Sequence, residues 1–443
     1  MANSRKLKSD LVERVRSALS SVVPPGSSLV LGLSGGIDSV VLLHMLVQLS
    51  VQFSWRLQAL HVHHGISPHA DSWGIFCSEL CAKYAIPFQL EHVDIKPLRD
   101  KGIEAAARQL RHAALAQQQV DFVVLAHHRD DQVETLLLQL LRGAGVRGAS
   151  AMPVIKATRQ GSTLLRPLLA TQRSELEAYA SQYGLQWMED DSNADISYPR
   201  NFLRHRVLPM LEQRFQAYRN TLARSAGHFA EAAVLLEELA ALDAANAMED
   251  ERLRVGVLRS LSQARGKNLL RYFLSLRHAP IPDSTRLQEM LRQLCNATEG
   301  AQIRITWQDW QLRCYRDYVY VLPVALPAVT FSMDWQGESE VALPAAHGVL
   351  HFERVSGRGL SLQKLQQGKV VIRSRQGGEY IQLDAKRPRQ SLRNLLPQLE
   401  IPPWQREYLP LVYCGKELVC VAGVATAAAF MAESDEDGVL VYC

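Results

Sequence analysis

The sequence is poor in the cysteine pattern that would staple a small fold. Its seven cysteines, Cys77, Cys81, Cys295, Cys314, Cys414, Cys420 and Cys443, are odd in number, scattered and free of C-x-x-C pairs. That excludes a disulfide framework and a zinc ribbon. Cys77 and Cys81 fall four apart on an expected helix and read as two buried apolar residues. Long apolar runs are missing too. Nothing approaches the ~18 uninterrupted apolar residues of a membrane span, and Met1-Ala2-Asn3-Ser4-Arg5-Lys6 leads into no apolar core of signal-peptide length. The expectation is a soluble chain in a reducing, cytoplasmic compartment with no membrane partner. Charge of one sign is also scarce, with 49 Lys and Arg against 45 Asp and Glu for a net +4. A polyanionic partner is compatible with that balance but not required by it.

What is present is a globular composition, 47% hydrophobic and 21% charged over 443 residues, long enough for two or three domains with real cores. From Ser28 to Arg142 a short apolar run, a turn and a helix-period segment recur roughly every 30 residues, the rhythm of crossover units. The runs are Leu29–Leu33, Leu57–Val62, Phe88–Val93 and Phe122–Ala126. Between them lie Val40–Leu49, Ser72–Tyr84, Glu104–Gln118 and Asp131–Arg142. Continuous aliphatic runs are what strands buried on both faces show, so the expected fold is α/β, a Rossmann-like parallel sheet with helices on both faces. Helical periodicity continues through 173–183, 201–242 and 252–294, with short strands at Gln302–Trp307 and Tyr318–Leu322. Residues 323–350, with several Pro and Gly, read as a connector or a mixed segment. Strand signals at Lys369–Ile372, Glu417–Val421 and Gly438–Val441 mark a small α+β domain. The expected domains are 1–212, a mostly helical 213–325, and 350–443.

Leu29-Val30-Leu31-Gly32-Leu33 runs directly into Ser34-Gly35-Gly36-Ile37-Asp38-Ser39 and then into a helix. Strand, glycine turn and helix start make a phosphate cradle. Glycines let the backbone approach an anion and take positive φ, and first-turn amides point at it with the helix dipole behind them. Ser34 and Ser39 add hydroxyls. Asp38 would repel phosphate unless a magnesium ion sat between them. No Gly-Lys-Ser/Thr follows, so this is not a Walker A loop.

The Ser-Gly-Gly-x-Asp-Ser loop resembles the pyrophosphatase loop of the N-type ATP pyrophosphatases, which transfer AMP to a carbonyl oxygen and hold the leaving pyrophosphate there. Further blocks are similar to those of the tRNA(Ile)-lysidine synthetase family. His61-Val62-His63-His64-Gly65 closes the second strand, where His63 suits the nucleotide base or ribose. Gly102-Ile103-Glu104-Ala105-Ala106-Ala107-Arg108 puts Arg108 toward phosphate or the activated intermediate, although a salt-bridged helix face would look the same. Ala126-His127-His128-Arg129-Asp130-Asp131-Gln132-Val133-Glu134-Thr135 opens a helix at a strand tip, and the 127/131/134 spacing can gather three polar groups on one patch. A favourable helix dipole would explain one acidic residue there, not the cluster. Asp191-Ser192-Asn193 through Arg204 looks like the block ending the family's catalytic domain, with Arg200, Arg204 and Arg206 suited to phosphate. Farther on, Arg373, Arg375 and Arg387 lie in arginine clusters near Trp404, a composition suited to RNA or to a plain basic surface.

The resemblance implies ATP and Mg2+, with Asp38 as the metal ligand, and a tRNA accepting isoleucine with a CAU anticodon. It implies that free L-lysine is ligated to C2 of the wobble cytidine through an adenylated intermediate. An ε-amine titrating near roughly 10.4 needs carboxylates to hold it and a base to take its proton. Asp131 and Glu134 are assigned to lysine, and His127 to accepting the proton or orienting the amine. Homodimer or monomer stays open. A tRNA 2-thiolase would need reactive cysteines, a glutamine-dependent ligase a glutaminase domain, and a non-catalytic RNA-binding module would leave the loop unexplained.

Overall fold

Alternating burial along one strand explains the architecture around it. In the computed structural model, strand β1 (Ser28–Gly32) sends Leu29 and Leu31 to one face and Val30 to the other, all fully buried. On the first face they meet α1 (Ala2–Ser20), α2 (Ile37–Phe53), Cys77 and Cys81 of α3 (Ala70–Lys83). On the second, Val30 packs with Leu60 and Val62 of β2 (Arg56–His63) and with Ala114 and Leu115 of α4 (Ile103–Ala116). The structure describes residues 2–65, 67, 69–158, 161–189, 194–298, 301–324, 329–344 and 347–443, with backbone alone for 2–10, 99–101, 103 and 104. Asp191, Ser192 and Asn193 of the block expected to end the catalytic domain lie outside the described residues, as does the side chain of Glu104.

The first compact unit, 1–238, adds β3 (Phe88–His92), β4 (Phe122–Val124), α5 (Arg129–Leu141), α6 (Val146–Ala149), β5 (Ile155–Ala157), β6 (Thr163–Leu165) and α7 (Arg173–Gln182). The sheet order is β3-β2-β1-β4-β6-β5. All pairs are parallel except the β5–β6 edge. The chain leaves β1 for β2 on one side and returns as β4 on the other. The carboxyl ends of β1 and β4 therefore flank the crevice where open α/β sheets take ligands. Residues 199–214 follow as α8 (Pro199–Phe202), a π-helical turn (Leu203–Val207) and α9 (Leu208–Arg214), and α10 (Tyr218–Ala247) leads out of the unit.

The second unit spans 239–443 and adds strands to those expected from the sequence. The region expected to be mostly helical, with short strands at 302–307 and 318–322, completes those two strands into a five-stranded antiparallel sheet, β7 (Met248–Glu249), β8 (Arg252–Arg254), β9 (Arg304–Trp307), β10 (Trp310–Tyr315) and β11 (Tyr318–Pro323), in order β7-β8-β11-β10-β9. It packs with α11 (Val255–Ser260), α12 (Gln263–Leu276) and α13 (Ser284–Asn296) around Phe273 and Leu312. The strong apolar period of the helices masks β7, β8 and β10 in the sequence. The segment read as a connector or a mixed segment is the second of these: it holds strands Ser332–Asp334 and Glu340–Ala342, which pair with Val371–Arg373 and Val349–His351. The last domain therefore begins earlier than 350, as two antiparallel sheets sharing a core with Val412, Val419 and Val439.

Candidate active site at the strand tips

Glycine geometry shapes the loop after β1. Gly35 has φ +85°, and a Cβ there would meet Cys77 Sγ at 3.3 Å, so this position requires glycine on two counts. Gly36 differs from the expectation of two left-handed glycines: its φ is −74°, extended, and it serves as the cap of α2. A glycine cap contributes no side-chain bond, which leaves the first-turn amides of Ile37 and Asp38 to an incoming oxyanion. Ser39 Oγ donates to Gly36 O (2.9 Å) and lies 3.1 Å from Ser34 Oγ. Buried His61 places Nδ1 2.8 Å from Leu33 O, bracing the strand end from below. Ser34 is exposed while Gly35, Ile37 and Ser39 are buried, so the loop presents its rim and anchors its base.

α5 begins at the tip of β4, and its cap carries the site's charge. His128 is 1% exposed. Its Nδ1 faces the Asp130 N–H at 3.2 Å, and its backbone N–H donates to Asp131 Oδ2 at 2.9 Å. Its Nε2 lies 3.6 Å from both Asp38 Oδ2 and Asp131 Oδ2, and Nδ1 lies 3.6 Å from Asp130 Oδ2. Burial works against a charged ring here. Asp130, Asp38 and Asp131 outweigh it and push His128 up to about 10. The phosphate loop and α5 thus meet where the His128 ring stands beside the Asp38 carboxylate. Asp38 Oδ2 also accepts from Arg173 Nη1 of α7 at 3.2 Å, while its Oδ1 is buried without a partner.

The two carboxylates expected to hold an amine are present together but occupied. Glu134 is 0% exposed. It accepts from Arg200 Nε and Arg204 Nε, both at 2.6 Å, and from Arg204 Nη2 at 3.0 Å. Asp131 Oδ1 accepts from Arg200 Nη2 at 2.9 Å, with Arg204 Nη2 at 3.5 Å. Burial pushes Asp131 up, but His128, Arg200 and His127 together hold it well below the usual carboxylate range. Arg200 and Arg204, expected to face phosphate, therefore turn inward from α8 and the π-helical turn. Arg206 is exposed.

His127 faces the other way. Its Nδ1 accepts from Arg166 Nε at 3.3 Å, which fixes the neutral Nε2–H tautomer. Burial holds it down to about 3; Asp131 opposes this, while Arg166, Arg108 and Arg200 add to it. Arg108 stands near enough to perturb His127, His112 and Arg166. His63 ends β2 with Nε2 2.9 Å from Asp71 Oδ1 and its ring against His92.

In the second unit, Arg373 lies over the Tyr413 ring at 5.1 Å and Arg375 Nε donates to Glu379 Oε2 at 3.3 Å. Arg387 is exposed, 3.5 Å from Asp384. Cys77 and Cys81 are fully buried, and burial pushes their thiols up to about 12 and about 11, so neither is a ready nucleophile.

Sequence reasoning missed His128, Arg173 and Arg166. A histidine directly after a buried strand and before an acidic helix turn was a usable signal for the first. Arg166 and Arg173 sit in Leu165-Arg166-Pro167 and Gln172-Arg173-Ser174, which carry no motif; only folding brings them to the strand tips. Among the described residues no group of three or more His, Cys, Asp or Glu is placed to cage a metal.

Comparison with known proteins adds an independent line. Residues 7–211 match a family model described as PP-loop domain, 253–320 one described as TilS substrate binding domain, and 370–443 one described as TilS substrate C-terminal domain. The chain is 44% identical to a protein of Nitrosomonas europaea, covering 100% of this chain and 97% of that one. It is 39% identical to one of Aromatoleum aromaticum (96% and 99% covered) and 37% identical to one of Coxiella burnetii (93% and 92%). All three carry the name tRNA(Ile)-lysidine synthase.

Proposed function

The chain belongs to the tRNA(Ile)-lysidine synthase family, and from that premise we propose how its residues carry the reaction. It is an ATP-dependent carbon–nitrogen ligase acting on tRNA(Ile). In the reading proposed here, free L-lysine is joined to C2 of the wobble cytidine of an isoleucine tRNA with a CAU anticodon. ATP is consumed, and AMP and pyrophosphate are released.

One observation carries the reading. A glycine-shaped anion loop and a histidine–carboxylate cluster meet at the tips of adjacent parallel strands, bridged by Asp38 and His128. Ser34 through Ser39 cradle the pyrophosphate as it leaves, using amides of the α2 start that are already in place when charge develops. The unpartnered Asp38 Oδ1 fits a Mg2+ ion. Mg2+ bound with ATP needs only one or two carboxylates, the rest of its shell being phosphate and water. That ion would lower the charge repulsion at the departing group.

The lysine ε-ammonium goes to Asp131 and Glu134. Both are saturated by guanidinium groups, so the amine enters by displacing Arg204, the more exposed of the two arginines, toward a phosphate. His127, neutral and pinned by Arg166, orients and donates; it is too weak a base to take the proton at neutral pH.

The decisive assay is pyrophosphate release by the full-length protein with ATP, CAU-anticodon tRNA(Ile) and lysine. A burst needing tRNA alone and steady turnover needing lysine as well are expected. The Asp131→Asn variant, which keeps the side-chain shape, should retain the burst and lose turnover by about 100-fold or more. Release that ignores tRNA, or full lysine transfer by Asp131→Asn, sinks the reading.

A further inference from the structure

Arg166 follows β6 at the sheet's carboxyl edge and is 5% exposed, yet it forms no ion pair with any described residue. Its Nε donates to His127 Nδ1 at 3.3 Å and its Nη1 to Pro153 O at 2.8 Å. Nη2 takes no partner among the described residues, and it is not one of the sealed, unsatisfied atoms. Burial, with Arg108 beside it, lowers the guanidinium to about 10. The charged side chain that acts most on Arg166 is another cation, Arg108. Burial and then Arg108, Arg166, Arg111 and Lys156 hold His112 down to about 4, with no acid among the main influences. A buried cation without a counter-ion is costly, and it is tolerated where a ligand supplies the missing charge. Strand tips in an open α/β sheet are where ligands arrive.

We infer that Arg166 is a substrate-anion ligand, taking an oxyanion at the tips of β4 and β6 together with the Nε2–H of His127. This assignment rests on the proposed reaction. A guanidinium fork suits two groups of that reaction equally, the α-phosphate of the adenylated tRNA and the α-carboxylate of lysine. Arg166 and His127 form one unit. Arg166 takes up the Nδ1 lone pair and thereby keeps a proton on Nε2, so the ring presents a second donor without carrying charge.

The test uses full-length Arg166→Met and Arg166→Lys with CAU-anticodon tRNA(Ile). Two readouts are followed: the rate of tRNA adenylation from ATP without lysine, and the reactivity of lysine relative to 1,5-diaminopentane, which has the amine and no carboxylate. Loss of one charge-assisted pair is worth about 10- to 100-fold.

If the anion is the phosphate, adenylation by Arg166→Met falls by that factor while the lysine preference is unchanged. If it is the carboxylate, adenylation holds and lysine drops to the level of the diamine, whose own rate is unaffected. Wild-type rates and preference in Arg166→Met overturn the assignment. Should Arg166→Met fail to fold, Arg166→Lys keeps the charge but loses the fork. It should show a smaller loss in the same single readout, and an unchanged or unfolded Arg166→Lys overturns the assignment as well. A wild-type protein that neither adenylates tRNA nor uses lysine counts against the proposed reaction, not against Arg166.

Discussion

Glu134 Oε1 and Arg204 Nε meet at 2.6 Å, joining a fully buried carboxylate on α5 to a guanidinium on a π-helical turn seventy residues later. Arg200 closes the same carboxylate from the preceding turn of chain. π-helical turns recur at functional sites because they re-aim side chains that a regular helix would space differently. Here Arg200 and Arg204 both reach α5, and the strand-tip cluster is held from outside the sheet.

Glu134→Gln should therefore destabilise the first unit by about 3–5 kcal/mol, the range for breaking a buried pair by removing one partner. Urea unfolding followed by tryptophan fluorescence measures it. A change below about 1 kcal/mol, the range of exposed pairs, would mean the clamp is not formed in solution. The same variant should raise the KM for lysine more than the KM for ATP.

Gly35→Ala tests the loop. A left-handed residue with a Cβ costs about 1–2 kcal/mol, and this Cβ presses on Cys77 Sγ at 3.3 Å. A modest fall in melting temperature with loss of nearly all ATP turnover is the expected result. Gly36→Ala, whose Cβ meets nothing closer than Ser34 Oγ at 3.6 Å, should be much milder. Equal effects at the two positions would contradict the distinct backbone roles.

Acid should begin to weaken the fold above the pH at which ordinary carboxylates titrate. His127 is held down to about 3, and His64 and His112 to about 4, by burial first and neighbouring arginines after it. An unfolded histidine takes its proton near about 6.5, so between roughly pH 6.5 and 4 the unfolded chain binds more protons and stability falls as pH falls. Each group contributes at most about 1.4 kcal/mol per pH unit in that window, less where solvent screens it. Urea midpoints across pH 4–7 should slope downward toward acid, and His112→Asn should flatten the slope. A level profile would place these rings in water.

Lysine transfer itself should respond to pH in a particular way. With His127 protonating only near 3 and Asp131 strongly acidic, neither serves as the base between pH 6 and 9. The rate of the lysine step, measured by single turnover on pre-adenylated tRNA, should climb with pH as the free amine fraction rises toward its pKa of about 10.4. An inflection near 6.5 would restore His127 as the proton acceptor.

Periodicity and local chemistry determined much of this protein from the chain alone. Strands β1, β2 and β4, the helices between them and the loop Ser34–Ser39 were legible because burial on two faces demands continuous aliphatic runs, and a phosphate turn demands glycine and serine in adjacent positions; β3, expected as a buried run, is an edge strand with no buried residue. Of the five-stranded sheet of residues 248–323, the strands at 304–307 and 318–323 were legible, while those at 248–249, 252–254 and 310–315 were not, because short antiparallel strands beside strongly amphipathic helices leave little period of their own. Site membership divided the same way. Asp38, His127, Asp131 and Glu134 sit inside motifs, so spacing found them. Tertiary structure alone decided their partners: that Arg200 and Arg204 neutralise Asp131 and Glu134, that three aspartates surround His128, and that Arg166 is buried with no ion pair among the described residues. Ion pairing depends on which side chains converge through space, and residues 66 to 70 positions apart leave no periodic trace of that convergence in a single sequence.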